Sequence, residues 1–269
     1  IAMENPTYKK AYRVLENLGN SMQVIDMDRS GINVEKLEAS GAEIAYVMPS
    51  HQYPLGTVMP IKRRLELLKW ADGSERRYIV EDDYDSEFRY KGKPIPALQG
   101  YDSHGKVIYI GTFSKSIAPA IRVSYLVLPE KLLRLYEERG TAFSSTVSRV
   151  DQRIVAGFLK EGYYERHLNK MRAVYKSRHD VLLDGLKEIP DIEVSGENAG
   201  VHLLVRFRNG KTEAEACAQA KQAGIHVYGL SDYYVREKEE TYTVILGYAN
   251  LKEDAIREAV GLLKEVWKK

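Results

Sequence analysis

The feature of this sequence that most restricts its fold is a series of short, uninterrupted apolar runs in the first half of the chain. They occupy residues 24–27, 44–48, 78–80, 107–110 and 123–128. Apolar residues that are continuous rather than alternating are typical of strands covered on both faces. Residues 34–39 and 61–71, between the runs, have the apolar spacing of helices. The pattern therefore predicts an α/β fold with a mostly parallel sheet between helices.

The second half of the chain has a different pattern, in which long helical segments come first. We predict helices at residues 130–139, 147–160 and 163–189, the last of which ends before Pro190. The final third mixes strands at residues 192–194, 202–207, 225–228 and 242–248 with helices at residues 212–223 and 252–266. This part is predicted to form a small α+β subdomain with its own sheet. Residues 1–3 look like the inside of another strand, so we expect the chain to be a fragment cut on its N-terminal side.

Composition argues against several classes of function. The 269 residues are 44% hydrophobic and 29% charged, and the net charge is only +2, with the cations scattered along the chain. The sequence shows no basic patch for nucleic acid, no membrane span and no signal peptide. The single cysteine, Cys217, cannot form a disulfide within the chain, which fits a reducing compartment. We therefore expect a cytoplasmic protein whose present segment binds neither DNA nor membrane.

Charged and hydroxyl residues follow two of the predicted strands. Residues 111–116 read GTFSKS directly after the run at residues 107–110, and Arg122 follows Lys115 by seven residues. The acidic sequence EDDY at residues 81–84 closes the run at residues 78–80. Binding sites in parallel sheets gather at the carboxyl ends of the strands, so we expect Lys115 and Asp82 to belong to one site.

This combination of residues matches the chemical groups of pyridoxal phosphate. The aldehyde needs a lysine amine, for which Lys115 is the candidate. The ring nitrogen stays protonated beside a buried carboxylate, for which Asp82 is the candidate, and Tyr84 would donate to the phenolic oxygen. The phosphate needs charge-assisted donors, which are supplied by Thr112, Ser114 and Arg122. A lone lysine or acidic run at a strand end is more often a solvated loop or a helix cap, but the combination favours the cofactor.

Longer motifs give the chain a resemblance to fold-type-I pyridoxal-phosphate proteins. It resembles aminotransferases and, more closely, the effector domain of MocR/GabR-type bacterial transcription regulators. The matching segments are ENPTY at residues 4–8, PSHQYPLG at 49–56, EDDYDSEFRY at 81–90, IPALQ at 95–99, and residues 111–122. The resemblance runs over essentially the whole chain, and EDDYDSEF followed by GTFSKS is specific to the regulator group.

The resemblance implies a fold-type-I, aminotransferase-like α/β architecture, with a partial large cofactor-binding domain at residues 1–150 and linking helices plus the small subdomain at residues 151–269. It implies that Lys115 forms the Schiff base, with Asp82, Tyr84, Ser114 and Arg122 in the roles given above. Tyr8 matches an aromatic near the cofactor ring, although packing of the turn after Pro6 explains it equally well. The family's glycine-rich phosphate segment and winged helix-turn-helix domain would lie upstream of Ile1. We expect a homodimer by analogy, and DNA contact only through that absent domain.

The chain departs from the aminotransferase pattern at residues that matter for substrate binding. Tyr53 stands where aminotransferases have an asparagine, and Ile245 stands where they have an arginine for the substrate carboxylate. Loss of a bidentate clamp favours a sensor over a general aminotransferase. Regulators that sense ω-amino acids have arginines where this chain has Lys10 and Asp232, so we expect a different amine. The candidate effector contacts, each of which has a solvated loop residue as its alternative, are Lys10, His51, Asn198, Asp232 and Arg236.

Three functional hypotheses follow. In the first, the domain senses a small amine or amino-acid-like effector, which replaces Lys115 on the cofactor as an external aldimine. In the second, the protein is a pyridoxal-phosphate-dependent aminotransferase acting on an amino acid, with Lys115 as general base and acid. In the third, it is an α/β interaction module without cofactor, against which the set of Lys115, Asp82 and Arg122 argues. We predict no metal site.

Overall fold

The chain folds around two β-sheets. The computed structural model describes residues 1–90, 95–142, 144–236 and 240–268. The larger sheet consists of β1 (Ala2–Asn5), β2 (Gln23–Asp28), β3 (Gly31–Ile32), β4 (Ile44–Val47), β5 (Tyr78–Asp83), β6 (Val107–Thr112) and β7 (Ser124–Val127). Its strand order is β3-β2-β1-β4-β5-β6-β7. The five inner strands are parallel, and β3 and β7 pair antiparallel at the two edges. The predicted mostly parallel sheet is confirmed.

Eight helices accompany the sheets in the described part of the chain. They are α1 (Lys9–Asn17), α2 (Val34–Ala39), α3 (Ile61–Asp72), α4 (Glu130–Arg139), α5 (Arg149–Lys160), α6 (Tyr163–Leu186), α7 (Glu213–Gln222) and α8 (Glu253–Trp267). Side chains fix some of their starts, because Asn33 caps α2 and Thr212 forms a capping box with Glu215 at α7. None of these helices, within the described ranges, is long and apolar enough to cross a membrane.

The smaller sheet is antiparallel and consists of β8 (Ile192–Ser195), β9 (His202–Phe207), β10 (Tyr228–Gly229) and β11 (Thr243–Gly247), in the order β10-β11-β9-β8. It packs against α6, α7 and α8 around a core that includes Leu186, Leu203, Val244 and Trp267. The predicted α+β subdomain is thus present. The division at residue 150 remains a prediction.

The core of the larger sheet lies beneath α3. Leu67 and Trp70 of α3 are buried against Ile79 of β5 and its neighbours. Arg64 of the same helix is fully buried, and its guanidinium donates to the backbone oxygens of Met59, Pro96 and Pro49. These bonds satisfy a charge that would otherwise be costly to bury, so Arg64 ties α3 to the loops beside the sheet.

The structure differs from the sequence prediction at some elements. The strand predicted at residues 225–228 is only Tyr228–Gly229, and α1 and β3 were not predicted. The apolar residues of α1 have a helical spacing, but none of its side chains is buried. The expectation that all strands are covered on both faces was wrong for β7, where Tyr125, Leu126 and Val127 are 42%, 55% and 41% exposed. This strand forms the sheet edge, and no helix of the described residues covers it.

The strand order creates a crevice at one point of the larger sheet. From β1 the chain continues to β2 on one side, and β4 then lies on the other side of β1. Connections that leave in opposite directions separate at the carboxyl ends of the two central strands. Tyr8, the loop at residues 49–56 and the end of β5 therefore all lie at one edge of the sheet.

Candidate functional site

Asp82 lies near the carboxyl end of β5, in register with Ile110 of β6. The hydroxyl of Tyr46, a buried residue of β4, donates a hydrogen bond to its carboxylate. Burial raises the pKa of Asp82, the bond from Tyr46 opposes that shift, and the neighbouring Asp83 and Asp85 add to it. A carboxylate in this position is stabilised by a nearby cation, as the protonated ring nitrogen of pyridoxal phosphate would be.

The adjacent carboxylate, Asp83, accepts three hydrogen bonds from within the protein. Its Oδ2 accepts from the hydroxyls of Tyr109 and Ser86, each at 2.7 Å, and its Oδ1 accepts from the backbone N–H of Ser86 at 3.1 Å. These bonds hold the turn after β5 in place. Among the described residues only Tyr46 donates to Asp82, so Asp82 has more acceptor capacity left for a ligand than Asp83 has.

Tyr84, His51 and Asp85 form a hydrogen-bonded group beside this turn. Nδ1 of His51 lies 2.9 and 3.1 Å from the two carboxylate oxygens of Asp85 and 3.0 Å from the hydroxyl oxygen of Tyr84. His51 is 2% and Asp85 is 1% exposed. Burial, followed by the charge of Asp85, raises the pKa of Tyr84 well above its ordinary value. Tyr84 is consequently a protonated phenol at any ordinary pH.

Aromatic rings surround Tyr53, which follows β4. Its ring lies edge-to-face with those of Tyr8 and Tyr84, each at 6.0 Å between ring centroids, and with Tyr233 at 5.2 Å. The Tyr53 hydroxyl also donates to that of Tyr233 at 3.0 Å. Tyr8 and Tyr84 thus lie in one aromatic group, in which each contacts Tyr53. Stacking of Tyr8 on a cofactor ring remains a prediction. Edge-to-face pairs of this kind fix ring orientation.

A second histidine, His202 of β9, connects this group to the smaller sheet. Its ring lies 5.5 Å from that of His51 and 5.4 Å from that of Tyr53, and its Nε2 donates to the backbone oxygen of Pro54 at 2.9 Å. Burial, and then neighbouring His51, lower the pKa of His202 to about 4. The charge of Lys115 adds a smaller lowering of this pKa.

The turn after β6 carries the remaining predicted cofactor contacts. Thr112 closes this turn, because its Oγ1 accepts from the backbone N–H of Ser114 at 3.1 Å and donates to the backbone oxygen of Val123 at 3.4 Å. Lys115 and Arg122 are exposed. Arg122 has a φ of 50°, a left-handed conformation that is costly for a residue with a side chain. Such strain is frequent where a side chain is aimed at a ligand.

The predicted effector contacts lie in different surroundings. Lys10 on α1, Asn198, Asp232 and Arg236 are exposed, and His51 is buried. The charge of Arg236 makes a small contribution to the lowered pKa of Asp26, which is caused chiefly by the hydrogen bond from Lys36. Contact of these five residues with an effector remains a prediction.

Comparisons with known proteins agree with this geometry. The family aminotransferase class I and II matches residues 1–263. The uncharacterized HTH-type transcriptional regulator YdeL of Bacillus subtilis is 40% identical over 270 residues, which cover 100% of this chain and 58% of the relative. The probable rhizopine catabolism regulatory protein MocR of Rhizobium meliloti is 32% identical, over 98% of this chain and 54% of its own length. The chain thus spans little more than half the length of these curated relatives.

A solved structure supports the same conclusion about the fold. It is that of LysN, the α-aminoadipate aminotransferase from Thermus thermophilus, complexed with N-(5'-phosphopyridoxyl)-L-leucine. The chain superposes on it with a TM-score of 0.85 at 25% identity, over 100% of this chain and 70% of that one. The predicted fold-type-I aminotransferase-like architecture and the predicted similarity to MocR-type regulators are both confirmed.

Proposed function

The chain belongs to the aminotransferase class I and II family, and from this premise we propose that it is the effector-sensing domain of a bacterial transcription regulator. Pyridoxal phosphate is the cofactor that membership of this family implies. The regulatory part of the proposal is supported by YdeL and MocR, which match over essentially the whole chain. Their names describe transcriptional regulators, whereas the names of the similar solved structures describe aminotransferases.

The single observation that carries the cofactor proposal is the environment of the Asp82 carboxylate. This carboxylate is held by Tyr46, has acceptor capacity left, and lies beside further carboxylates that disfavour its charge unless a cation approaches. The residues present therefore fit the cofactor. Asp82 would hold the ring-nitrogen proton, Tyr84 would donate to the phenolic oxygen, and Ser114 and Arg122 would bind the phosphate.

Bound pyridoxal phosphate supplies an aldehyde carbon that forms a Schiff base with a primary amine. We assign Lys115 to this carbon when no effector is present, and an amine effector to the same carbon when it displaces the lysine. Sensing requires that the two occupied states differ in their contacts with the protein, since a ligand shifts a conformational equilibrium only through differential affinity. The exposed position of Lys115 leaves its side chain room to move aside.

Sensing is favoured over transamination by the surroundings of Ile245. This residue is 3% exposed in β11, and it packs in an apolar cluster with Leu204, Leu230 and Tyr234. The position that aligns with the substrate-carboxylate arginine of aminotransferases is therefore filled by an apolar side chain. Without that clamp an amino acid is less firmly held for proton transfer at its α-carbon. Transamination of an amino acid remains the alternative, supported by the family itself.

Mixing the cofactor-loaded protein with a series of primary amines and amino acids separates the two functions. For a sensor, an effector changes the Schiff-base absorbance to a new spectrum that persists, with no keto acid released. For an aminotransferase, the spectrum passes to the pyridoxamine form and keto acid appears in equal amount. The Lys115→Ala variant serves as the control, and a Schiff-base absorbance that is absent from the wild type, or unchanged in this variant, contradicts both.

The partners belong to the same proposal. We propose a homodimer, because sites of this fold are generally built at a subunit interface, and DNA binding through a helix-turn-helix domain of the kind named in the relatives. Analytical ultracentrifugation with and without cofactor tests the dimer. A monomer in both conditions contradicts it.

A further inference from the structure

In the hydrogen-bonded group of Tyr84, His51 and Asp85, elementary chemistry decides whether Nδ1 of His51 carries a hydrogen. A ring nitrogen has a single in-plane position, which either carries a hydrogen or offers a lone pair. Nδ1 of His51 is within hydrogen-bonding distance of both Asp85 and the Tyr84 hydroxyl. An ionised carboxylate can only accept, so a lone pair at 2.9 Å from it would be repulsive. Nδ1 therefore carries a hydrogen, whether or not Nε2 does.

The direction of the Tyr84 hydrogen bond follows from this assignment. Because Nδ1 donates, the hydroxyl oxygen of Tyr84 at 3.0 Å can only accept from it, and the hydroxyl hydrogen must point elsewhere. In the described part of the chain, the hydroxyl of Tyr84 has no hydrogen-bond partner other than Nδ1 of His51. Asp82 already accepts from Tyr46, and Asp83 accepts from Tyr109 and Ser86. The Tyr84 hydroxyl hydrogen is thus left for a ligand.

The packing around His51 fits an imidazole ring in this orientation. Gly200, with a φ of 82°, leaves room that no other residue would, since an added Cβ would lie 2.0 Å from Cε1 of His51. On the far side of the ring, Nε2 is buried and has no hydrogen-bond partner among the described residues. The imidazole is consequently held from the side of Asp85 alone, and its plane is set by packing.

We propose that His51 and Asp85 are positioning residues, which act through Tyr84 by directing its hydroxyl hydrogen toward the phenolic oxygen of the cofactor. This inference rests on the proposed function, and it assigns His51 a different role from contact with the effector. A hydrogen bond that stabilises the negative phenolic oxygen makes the Schiff-base nitrogen easier to deprotonate. Without His51, the buried Asp85 is free to draw the Tyr84 hydrogen to itself and away from the cofactor.

The test is a pH titration of the Schiff-base absorbance in the cofactor-loaded protein. His51→Leu should raise the midpoint by about one pH unit, the size expected from one lost hydrogen bond to a charged oxygen, and Tyr84→Phe should raise it equally. His51→Asn is the matched control, because its amide N–H can take the place of Nδ1–H and should return the midpoint toward the wild-type value. A merely structural role for His51 predicts no such rescue.

Two outcomes overturn the inference while leaving the proposed function intact. One is a His51→Leu midpoint equal to that of the wild type, and the other is an Asn variant shifted as far as the Leu variant. Absence of any Schiff-base absorbance that depends on Lys115 overturns both proposals together. If the Leu variant does not fold, the ¹⁵N chemical shifts of the His51 ring in the wild type decide the matter. A protonated Nδ1 is expected, and an unprotonated Nδ1 overturns the inference.

Discussion

The two halves of the proposed cofactor site are built differently. The ring half, which consists of Asp82, Asp83, Tyr84 and Asp85, contacts donors or acceptors from three other segments of the chain. In the anchor half, Lys115 and Arg122 are exposed, and no hydrogen bond or ion pair from any described residue reaches their side chains. We infer that folding alone preorganises the groups that set the charge of the ring, whereas the ligand orders the groups that anchor it.

The largest expected effect lies outside both halves and concerns the pH dependence of stability caused by a buried carboxyl of β1. Glu4 of β1 is 1% exposed, and burial raises its pKa to about 7 from 4.5. The folded state therefore binds more protons than the unfolded state between these values, and stability falls as pH rises through this range. The loss should be about 3 kcal/mol, and it should be absent from Glu4→Gln.

Urea denaturation of the wild type and Glu4→Gln at several pH values measures this difference directly. The wild type should gain stability relative to the variant as pH falls from 7 to 4.5. Titration of His202 affects both proteins in the same way and cancels in the comparison. Parallel stability curves would show that Glu4 does not titrate in this range and that the crevice is less buried than the structure indicates.

In the ring half, substitutions of two adjacent residues should have different effects, one on cofactor affinity and the other on stability. Asp82→Asn should weaken pyridoxal phosphate binding about 100-fold, the equivalent of one strong charge-assisted bond, without loss of stability. Asp83→Asn is the matched control, because its carboxylate accepts three bonds within the protein and its loss should cost about 2 kcal/mol of stability. Cofactor titration and urea denaturation give both quantities. Equal effects of the two variants on affinity would break the assignment of Asp82.

The smallest effect is expected in the anchor half, where the backbone of Arg122 is strained. Arg122→Gly should raise the free energy of unfolding by about 0.5–1 kcal/mol, because glycine tolerates a φ of 50°. Arg122→Ala keeps the unfavourable conformation and should show no such gain. Both variants should bind the cofactor more weakly. If the Gly and Ala variants are equally stable, the left-handed conformation of Arg122 stores no strain.

The two halves also differ in how far they could be predicted from sequence. Strand ends and the lysine turn were visible because apolar runs stop abruptly at β5 and β6, and this pattern located Asp82 and Lys115. The hydrogen-bond partners of the ring half could not be predicted from the sequence. Tyr46, for example, lies in an apolar run and has the pattern of a core residue. Its hydroxyl reaches Asp82 only because β4 and β5 are in parallel register, with Tyr46 opposite Val80.

The hydrogen-bond partners of His51 and the α1 helix are two further features that were not predicted from the sequence. The sequence places His51 in a loop after β4, which suggested contact with a ligand, and only the fold brings it to Asp85, 34 residues away. The α1 helix was missed although its apolar residues have a helical spacing, and none of those residues is buried in the fold. Apolar patterns locate strands and helices, but they do not show which side chains strand register brings together.

The central claim, that Lys115 carries the cofactor, is tested most directly by chemical trapping. The protein is loaded with pyridoxal phosphate, reduced with sodium borohydride, digested and analysed by mass spectrometry. The account predicts a phosphopyridoxyl group on the peptide that contains Lys115, and its loss when an effector amine is added before reduction. A phosphopyridoxyl group spread over other lysines, or found on none, would contradict the account.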